Sequence, residues 1–145
     1  MILALKSGLE SVDNLLFSPD GRALVAAHET HHVAWRDWAA GGDPGPVIAT
    51  ESRPTNTAFG PDGSCLFMNL LVGEGVKARP RTRALDLNTG TLEPCGINAV
   101  GSSWFHFDKS GGFAIVSHGN CKLSRFDLTP KTRKLKEQWT LDLEG

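Results

Sequence analysis

The sequence lacks several features that mark common protein classes. It has no C-x-x-C pair, and its three cysteines, Cys65, Cys95 and Cys121, lie far apart. This spacing argues against a cysteine zinc site or a disulfide framework and favours reduced thiols in a cytoplasmic protein. No apolar run approaches the roughly 20 residues that a membrane-spanning helix needs. The first residues also lack the basic region and cleavage site of a secretory leader.

Charge excess and catalytic motifs are missing as well. The formal net charge is −1, from 15 Lys and Arg against 16 Asp and Glu. The chain therefore lacks the basic excess of a dedicated nucleic-acid binder, and nothing in it indicates a membrane partner. It contains no G-x-S-x-G nucleophile elbow, phosphate loop or Rossmann glycine pattern. We therefore expect no catalytic residue, no resident metal and no cofactor.

Internal repetition is the strongest signal that the sequence does contain. Phe17-Ser-Pro-Asp-Gly recurs as Phe59-Gly-Pro-Asp-Gly and, more weakly, as Phe107-Asp-Lys-Ser-Gly, at spacings of 42 and 48 residues. In each copy the closing glycine tolerates a left-handed backbone, as the turn of a β-hairpin requires. Apolar strands flank every turn, and the third strand of each unit ends in an aligned aspartate, Asp37, Asp86 or Asp127.

The repeat predicts an all-β fold of antiparallel, four-stranded β-propeller blades, about three in this chain. The expected boundaries are about 12–50 for the first blade, 55–95 for the second and 102–143 for the third. Residues 1–6 are expected to form the outer strand of an adjoining blade. The second blade carries extra residues between its second and third strands, around Val72–Pro80, which explains the longer spacing.

This pattern resembles WD40-type repeats. The resemblance rests on the Phe-x-Pro-Asp-Gly turn and on the third strand that ends in aspartate and is followed by a turn. The Trp-Asp dipeptide of that family reads Arg36-Asp37, Leu85-Asp86 and Phe126-Asp127 here. Lactonase-like and TolB-like propellers share the same turn. The resemblance implies a propeller that acts as a non-catalytic scaffold for protein interactions.

Three blades do not close a ring, because closed propellers typically have about four to eight. An open arc would expose one sheet face at each end, a footprint of roughly 300 Å² per face. Leaving such a face in water forfeits on the order of 8 kcal/mol, comparable with the stability of a whole domain, about 5–15 kcal/mol. We therefore expect either self-association, with two copies forming six blades, or further blades in a longer chain.

The segment His28-Glu29-Thr30-His31-His32 satisfies the H-E-x-x-H pattern of zinc hydrolases. On a helix, its first and last histidines would share one face and bind zinc. The repeat favours a different structure, because His28 and His118 each follow the repeated phenylalanine by eleven residues, at the end of a second strand. The segment is therefore predicted to be a turn between strands.

Loops between second and third strands share one edge of a propeller with the loops that join successive blades. Binding residues concentrate in such loops, since a rigid scaffold holds them in place. The predicted binding residues on this edge are His28, His31, His32, Arg53, Lys77, Arg79, Arg81, His118 and Asn120. A metal-dependent hydrolase, using the His28–His32 cluster or a lactonase-like site, is the alternative to the interaction scaffold.

Overall fold

The computed structural model is described for most of the chain. The described residues are 7–41, 43–73, 75, 78–97, 104–118, 121–129 and 132–143. The predicted outer strand at 1–6 lies outside them. No stretch of the described residues forms a helix with the length and hydrophobicity needed to cross a bilayer.

Within the described residues, twelve strands form three separate four-stranded sheets, and each sheet is an antiparallel meander in chain order. The first sheet contains β1 (Asn14–Phe17), β2 (Ala23–His28), β3 (His31–Arg36) and β4 (Ile48–Ala49). The second contains β5 (Asn56–Phe59), β6 (Cys65–Val72), β7 (Arg79–Asp86) and β8 (Leu92–Pro94). The third contains β9 (Trp104–Phe107), β10 (Phe113–His118), β11 (Lys122–Thr129) and β12 (Lys134–Asp142). This arrangement confirms the predicted all-β, propeller-like fold.

The repeated turn makes the first hairpin of every sheet. Gly21, Gly63 and Gly111 all have positive φ, at 72°, 68° and 76°, a conformation that glycine adopts without steric cost. In the first sheet the turn is also held by Asp20, whose carboxylate accepts hydrogen bonds from the Ser18 hydroxyl and the Arg22 N–H. The third turn keeps the same geometry without proline, so glycine is the residue that the turn requires.

The extra residues of the second repeat lengthen a hairpin instead of forming only a loop. Strand β6 continues to Val72 and β7 begins at Arg79, with Val72 opposite Arg79 and Leu70 opposite Arg81. The sequence pattern predicts the third strand of this unit over Thr82–Asp86, so the observed strand begins three residues earlier. The alternation of β7 puts Arg79 and Arg81 on one face of this extension, and both are exposed.

A β-bulge interrupts the last strand. Arg125 lies opposite Trp139 while Phe126 lies opposite Glu137, so Gln138 is the extra residue of β12. A bulge of this kind shifts the alternation of the bulged strand by one residue. Leu135 and Glu137 therefore share the face of Phe126, whereas Trp139 and Leu141 lie on the opposite face of the sheet.

The second sheet lies between the other two and supplies the largest share of the buried apolar residues. One of its faces, with Leu66 and Met68, packs against Val25 of the first sheet. Its other face, with Phe67 and Cys65, packs on the third sheet. The first strands of successive sheets are also in contact, β1 with β5 and β5 with β9. Each sheet therefore meets the next through its first strand and one apolar face.

The two ends of this stack differ. On the outer face of the first sheet, Val33 and Trp35 are buried beneath Leu9 and Trp38. The face expected to be exposed at this end is therefore only partly open, because the segments that flank the sheet cover its second and third strands while Leu15 and Phe17 of β1 stay exposed. The outer face of the third sheet exposes large apolar side chains, including Trp104.

Candidate functional site

The H-E-x-x-H segment is a β-hairpin, as the repeat predicted. Strand β2 ends at His28, β3 begins at His31, and these two residues lie opposite each other. Glu29 takes the left-handed conformation at the turn, with φ of 50°. The backbone pairing of the two strands therefore determines where the three histidines project.

This hairpin separates the two histidines that a zinc site would need. Successive residues of a strand point to opposite faces, so His31 shares the outer face of the first sheet with His28, whereas His32 lies on the opposite face. His32 is buried against the second sheet. Zinc needs ligand atoms about 2 Å away on every side. Within the described part of the chain, no group of three or more His, Cys, Asp or Glu side chains could hold a metal ion.

Asp13, which the sequence analysis did not identify, joins three segments at this edge. Its Oδ2 accepts a hydrogen bond from the Glu29 N–H at 3.1 Å. The same oxygen lies 3.3 Å from Nδ1 of His28 and 3.5 Å from Nη2 of Arg53. We call Asp13, His28, Glu29 and Arg53 the Asp13 cluster. The Glu29 N–H lowers the pKa of Asp13, and His28 and Arg53 act in the same direction, so the carboxylate is charged at neutral pH.

A cavity of about 220 Å³ adjoins the Asp13 cluster, between the first and second sheets. The lining residues are Asp13, Asn14, Ala27, Glu29, His32, Arg53, Pro54 and Thr57. His32 is almost fully buried, and its Nδ1 has no hydrogen-bond partner among the residues that the structure describes. Both hydrogen-bond donors and acceptors surround this space, so it can receive a polar side chain or a small polar ligand.

The buried His32 makes folding depend on pH. Burial lowers the pKa of His32 below its usual 6.5, although backbone hydrogen bonds at Ile48 and Thr30 act in the opposite direction. The unfolded chain therefore binds this proton more readily than the folded chain. The stability that comes from keeping His32 neutral is fully present above a pH of about 6.5 and is lost as the pH falls from there through the lower pKa of the folded chain.

We expect His32→Leu to lose less stability than the wild type when the pH is lowered from about 7.5 to about 5.5, because the variant has no buried imidazole to protonate. Urea unfolding at both pH values measures this difference. His31→Leu is the matched control, since His31 is exposed at the neighbouring position. An equal pH response in wild type and His32→Leu would show that His32 does not carry the effect.

The remaining predicted binding residues are Lys77, Arg79, Arg81, His118 and Asn120. Lys77 and Asn120 lie outside the described residues. Arg79 and Arg81 belong to the β6–β7 extension, residues 70–72 and 79–81. This extension lies beside the Asp13 cluster, because the hydroxyl of Ser52, next to Arg53, accepts a hydrogen bond from the Leu71 N–H at 3.0 Å. An ion pair of 3.5 Å between Arg83 and Glu51 joins the same two segments.

His118 belongs to a hydrogen-bonded chain within the third sheet. Its Nε2 lies 2.9 Å from the Ser124 hydroxyl, which lies 2.6 Å from the Thr140 hydroxyl. Thr140 in turn donates to Glu137. Burial lowers the pKa of His118, while Glu137 acts to raise it. These contacts connect three strands of one sheet and give His118 a structural role there.

A second cavity of about 220 Å³ lies at the opposite edge, between the repeated turns of the second and third sheets. Cys65 and Arg133 are among its lining residues. Burial raises the pKa of the Cys65 thiol to about 12, so this cysteine is not a nucleophile at neutral pH. Burial likewise raises the pKa of Cys95 to about 11. Both cysteines belong to the core.

No family model matches the chain, and no curated protein matches it either. Solved structures do resemble it. A candidate 6-phosphogluconolactonase from Bacteroides fragilis aligns with a TM-score of 0.59 and 18% identity, covering 89% of this chain and 38% of that one. A structure of the eukaryotic initiation factor aligns with a TM-score of 0.65 and 15% identity, covering 97% of this chain and 34% of that one. At such identities the likeness is one of fold, and this chain spans less than two-fifths of either relative.

Proposed function

We propose that the chain is part of a propeller-like, non-catalytic scaffold that binds a protein partner at the edge carrying the Asp13 cluster. The observation that supports this most directly is the convergence of three chain segments on one carboxylate. Hydrogen bonds and ion pairs to Asp13 hold the β2–β3 turn and the connection from β4 to β5 in place. A surface organised before binding loses less conformational entropy when a partner docks.

The partner that fits this edge carries acidic side chains. Arg53 is exposed beside the cavity, and Arg79 and Arg81 are exposed on the neighbouring β6–β7 extension. Guanidinium groups bind carboxylates through paired hydrogen bonds. The cavity beside His32 offers space for one inserted side chain of the partner. We further propose the cytoplasm as the compartment, on the ground of the odd number of widely spaced cysteines.

Affinity capture with cross-linking tests the scaffold proposal. The purified chain is cross-linked in an extract of its source, and the captured proteins are compared between wild type, Arg53→Glu and Arg22→Glu. Arg22 is the control because it is an exposed arginine at the opposite edge, where it pairs with Asp37. We expect Arg53→Glu to lose a protein that Arg22→Glu retains. Capture that is the same for both variants, or cross-links confined to the edge of the repeated turns, would contradict the proposal.

A hydrolase is the second candidate, and the likeness to a candidate lactonase together with the cavity beside Asp13 and His32 favours it. If the chain hydrolyses a lactone, Asp13→Asn will reduce the turnover without changing the unfolding midpoint greatly. Stoichiometric zinc in protein washed with a chelator would also favour this class. The scaffold proposal expects no turnover that depends on Asp13.

A further inference from the structure

One repeated phenylalanine is exposed although its two counterparts are not. Phe59 and Phe107 stand at the ends of β5 and β9, and each packs on the sheet that precedes its own. Phe59 is 8% exposed, whereas Phe17, at the same position of β1, is 55% exposed. Leu15 of β1 projects from the same outer face and is also exposed. The first sheet therefore exposes the apolar face that, in the second and third sheets, is buried against the preceding sheet.

The outer face of the third sheet presents the matching surface. Trp104, Trp139 and Leu141 are exposed on it, at 61%, 46% and 51%. Ile115 lies on this face at the position that Phe67 occupies in the second sheet, and Phe67 is fully buried by the sheet that follows it. Arg125 interrupts this apolar surface, since it lies between Ile115 and Trp139 in the strand register and over the ring of Phe113. Tryptophan is enriched at the centres of protein interfaces, so two exposed tryptophans on one sheet face still indicate a binding face.

We propose that a second copy of this chain covers both surfaces, with the third sheet of each copy packed on the first sheet of the other. The contact repeats one that the chain already makes twice between its own sheets, through successive first strands and apolar faces. Leu9 and Trp38 cover the second and third strands of the first sheet. Leu15 stays exposed, and Phe17 is 55% exposed although its ring contacts that of Trp38, with 5.5 Å between the ring centroids. Both residues belong to the first strand, which is the strand that the internal contacts use.

Two copies arranged in this way form a closed assembly of six sheets with two identical junctions. A two-fold axis relates the copies, so no end face stays exposed and the assembly stops at two. Four open faces of roughly 300 Å² each would bury about 1,200 Å², but Leu9 and Trp38 already cover part of each first-sheet face. The two junctions therefore bury less than this, in the range of weak interfaces, and we expect a dimer that dissociates on dilution. This inference concerns the sheet faces and does not depend on the partner proposed for the Asp13 cluster.

The mass of the purified chain in solution, measured by light scattering after size exclusion over a range of concentrations, tests the proposal. We expect twice the 15.6 kDa of one chain, falling towards one chain on dilution. Leu141→Glu and Phe17→Glu should each abolish the dimer, since each puts a charge into both junctions. Leu71→Glu should retain it, because Leu71 is a leucine of similar exposure, 47%, on the β6–β7 extension. Circular dichroism verifies that each variant is folded.

Three results would overturn the arrangement. A single-chain mass at every concentration would mean that further sheets of a longer polypeptide, or a different protein, cover these faces. A dimer that Leu141→Glu abolishes and Phe17→Glu leaves intact would mean that two third sheets pack face to face. Larger open assemblies would mean that the head-to-tail contact does not close at two copies.

Discussion

Phe67→Ala is expected to destabilise the chain by about 3–5 kcal/mol, the usual loss when a fully buried phenylalanine is truncated. Phe67 is wholly buried in β6, and its ring lies 4.8 Å from the ring of Phe107. It faces the third sheet, so its removal leaves a cavity at the contact between two sheets. Since a whole domain is stable by only about 5–15 kcal/mol, this single change removes a large share of the total.

Urea unfolding monitored by circular dichroism at fixed protein concentration measures this loss. Leu71→Ala is the control, because Leu71 belongs to the same strand but is exposed; its loss should stay below about 1 kcal/mol. Similar unfolding midpoints for Phe67→Ala and Leu71→Ala would show that the contact between the second and third sheets contributes little to stability.

The second large effect is expected at Asp86, the aligned aspartate of the second repeat. Its Oδ2 lies 2.5 Å from Nη1 of Arg133, in the turn that precedes β12 of the third sheet. Its Oδ1 accepts hydrogen bonds from the N–H groups of Asn88 and Thr89. Asp86→Ala should cost about 2–3 kcal/mol, because it removes charge-assisted hydrogen bonds and leaves a partly buried guanidinium unpaired.

The aligned aspartates of the other two repeats are the controls for Asp86. Asp37 pairs with Arg22 and Asp127 with Arg125, and these pairs lie within one sheet and are largely exposed. Exposed pairs contribute about 0–1 kcal/mol, so Asp37→Ala and Asp127→Ala should change the unfolding midpoint little. Equal losses for all three variants would contradict a special role of Asp86 between the sheets.

The contribution of Asp86 should also depend on pH. Burial acts to raise the pKa of Asp86, but the bonds from Arg133, Asn88 and Thr89 outweigh it and hold the pKa below the usual 3.8. The stabilisation is therefore fully present above a pH of about 3.8 and is lost as the pH falls through the lower pKa of the folded chain. The difference between wild type and Asp86→Ala in thermal unfolding should shrink over that range.

Local sequence signals were sufficient to predict most of the strands. The turn after Phe17, with its glycine at positive φ, recurs in all three sheets, and the apolar strands on either side follow from it. The β6–β7 extension was harder to predict, because Arg79 and Arg81 have the composition of a charged loop. Their strand conformation comes from pairing with Val72 and Leu70, which a single segment does not reveal.

The candidate site was likewise predictable only in part from the sequence. Loop position identified His28 and Arg53, because the ends of second strands and the connections between sheets are recognisable along the chain. Asp13 was missed, since it stands just before β1 with no motif around it. Its role depends on Glu29, 16 residues later along the chain, and on Arg53, which lies in the connection to the second sheet. No local pattern predicts that those segments meet at one carboxylate.

The sequence by itself determined the all-β class, the three units and the hairpin form of the His28–His32 segment, because turn chemistry and strand alternation are local properties. Only the tertiary structure decided which faces meet, and that His32 is buried on the face of the first sheet away from His28. It also decided that, of the ion pairs between the aligned aspartates and described residues, the one at Asp86 joins two sheets. It also showed that Phe17 lacks the cover that Phe59 has. Identical local motifs acquire different roles because burial and charge pairing depend on the neighbouring sheet.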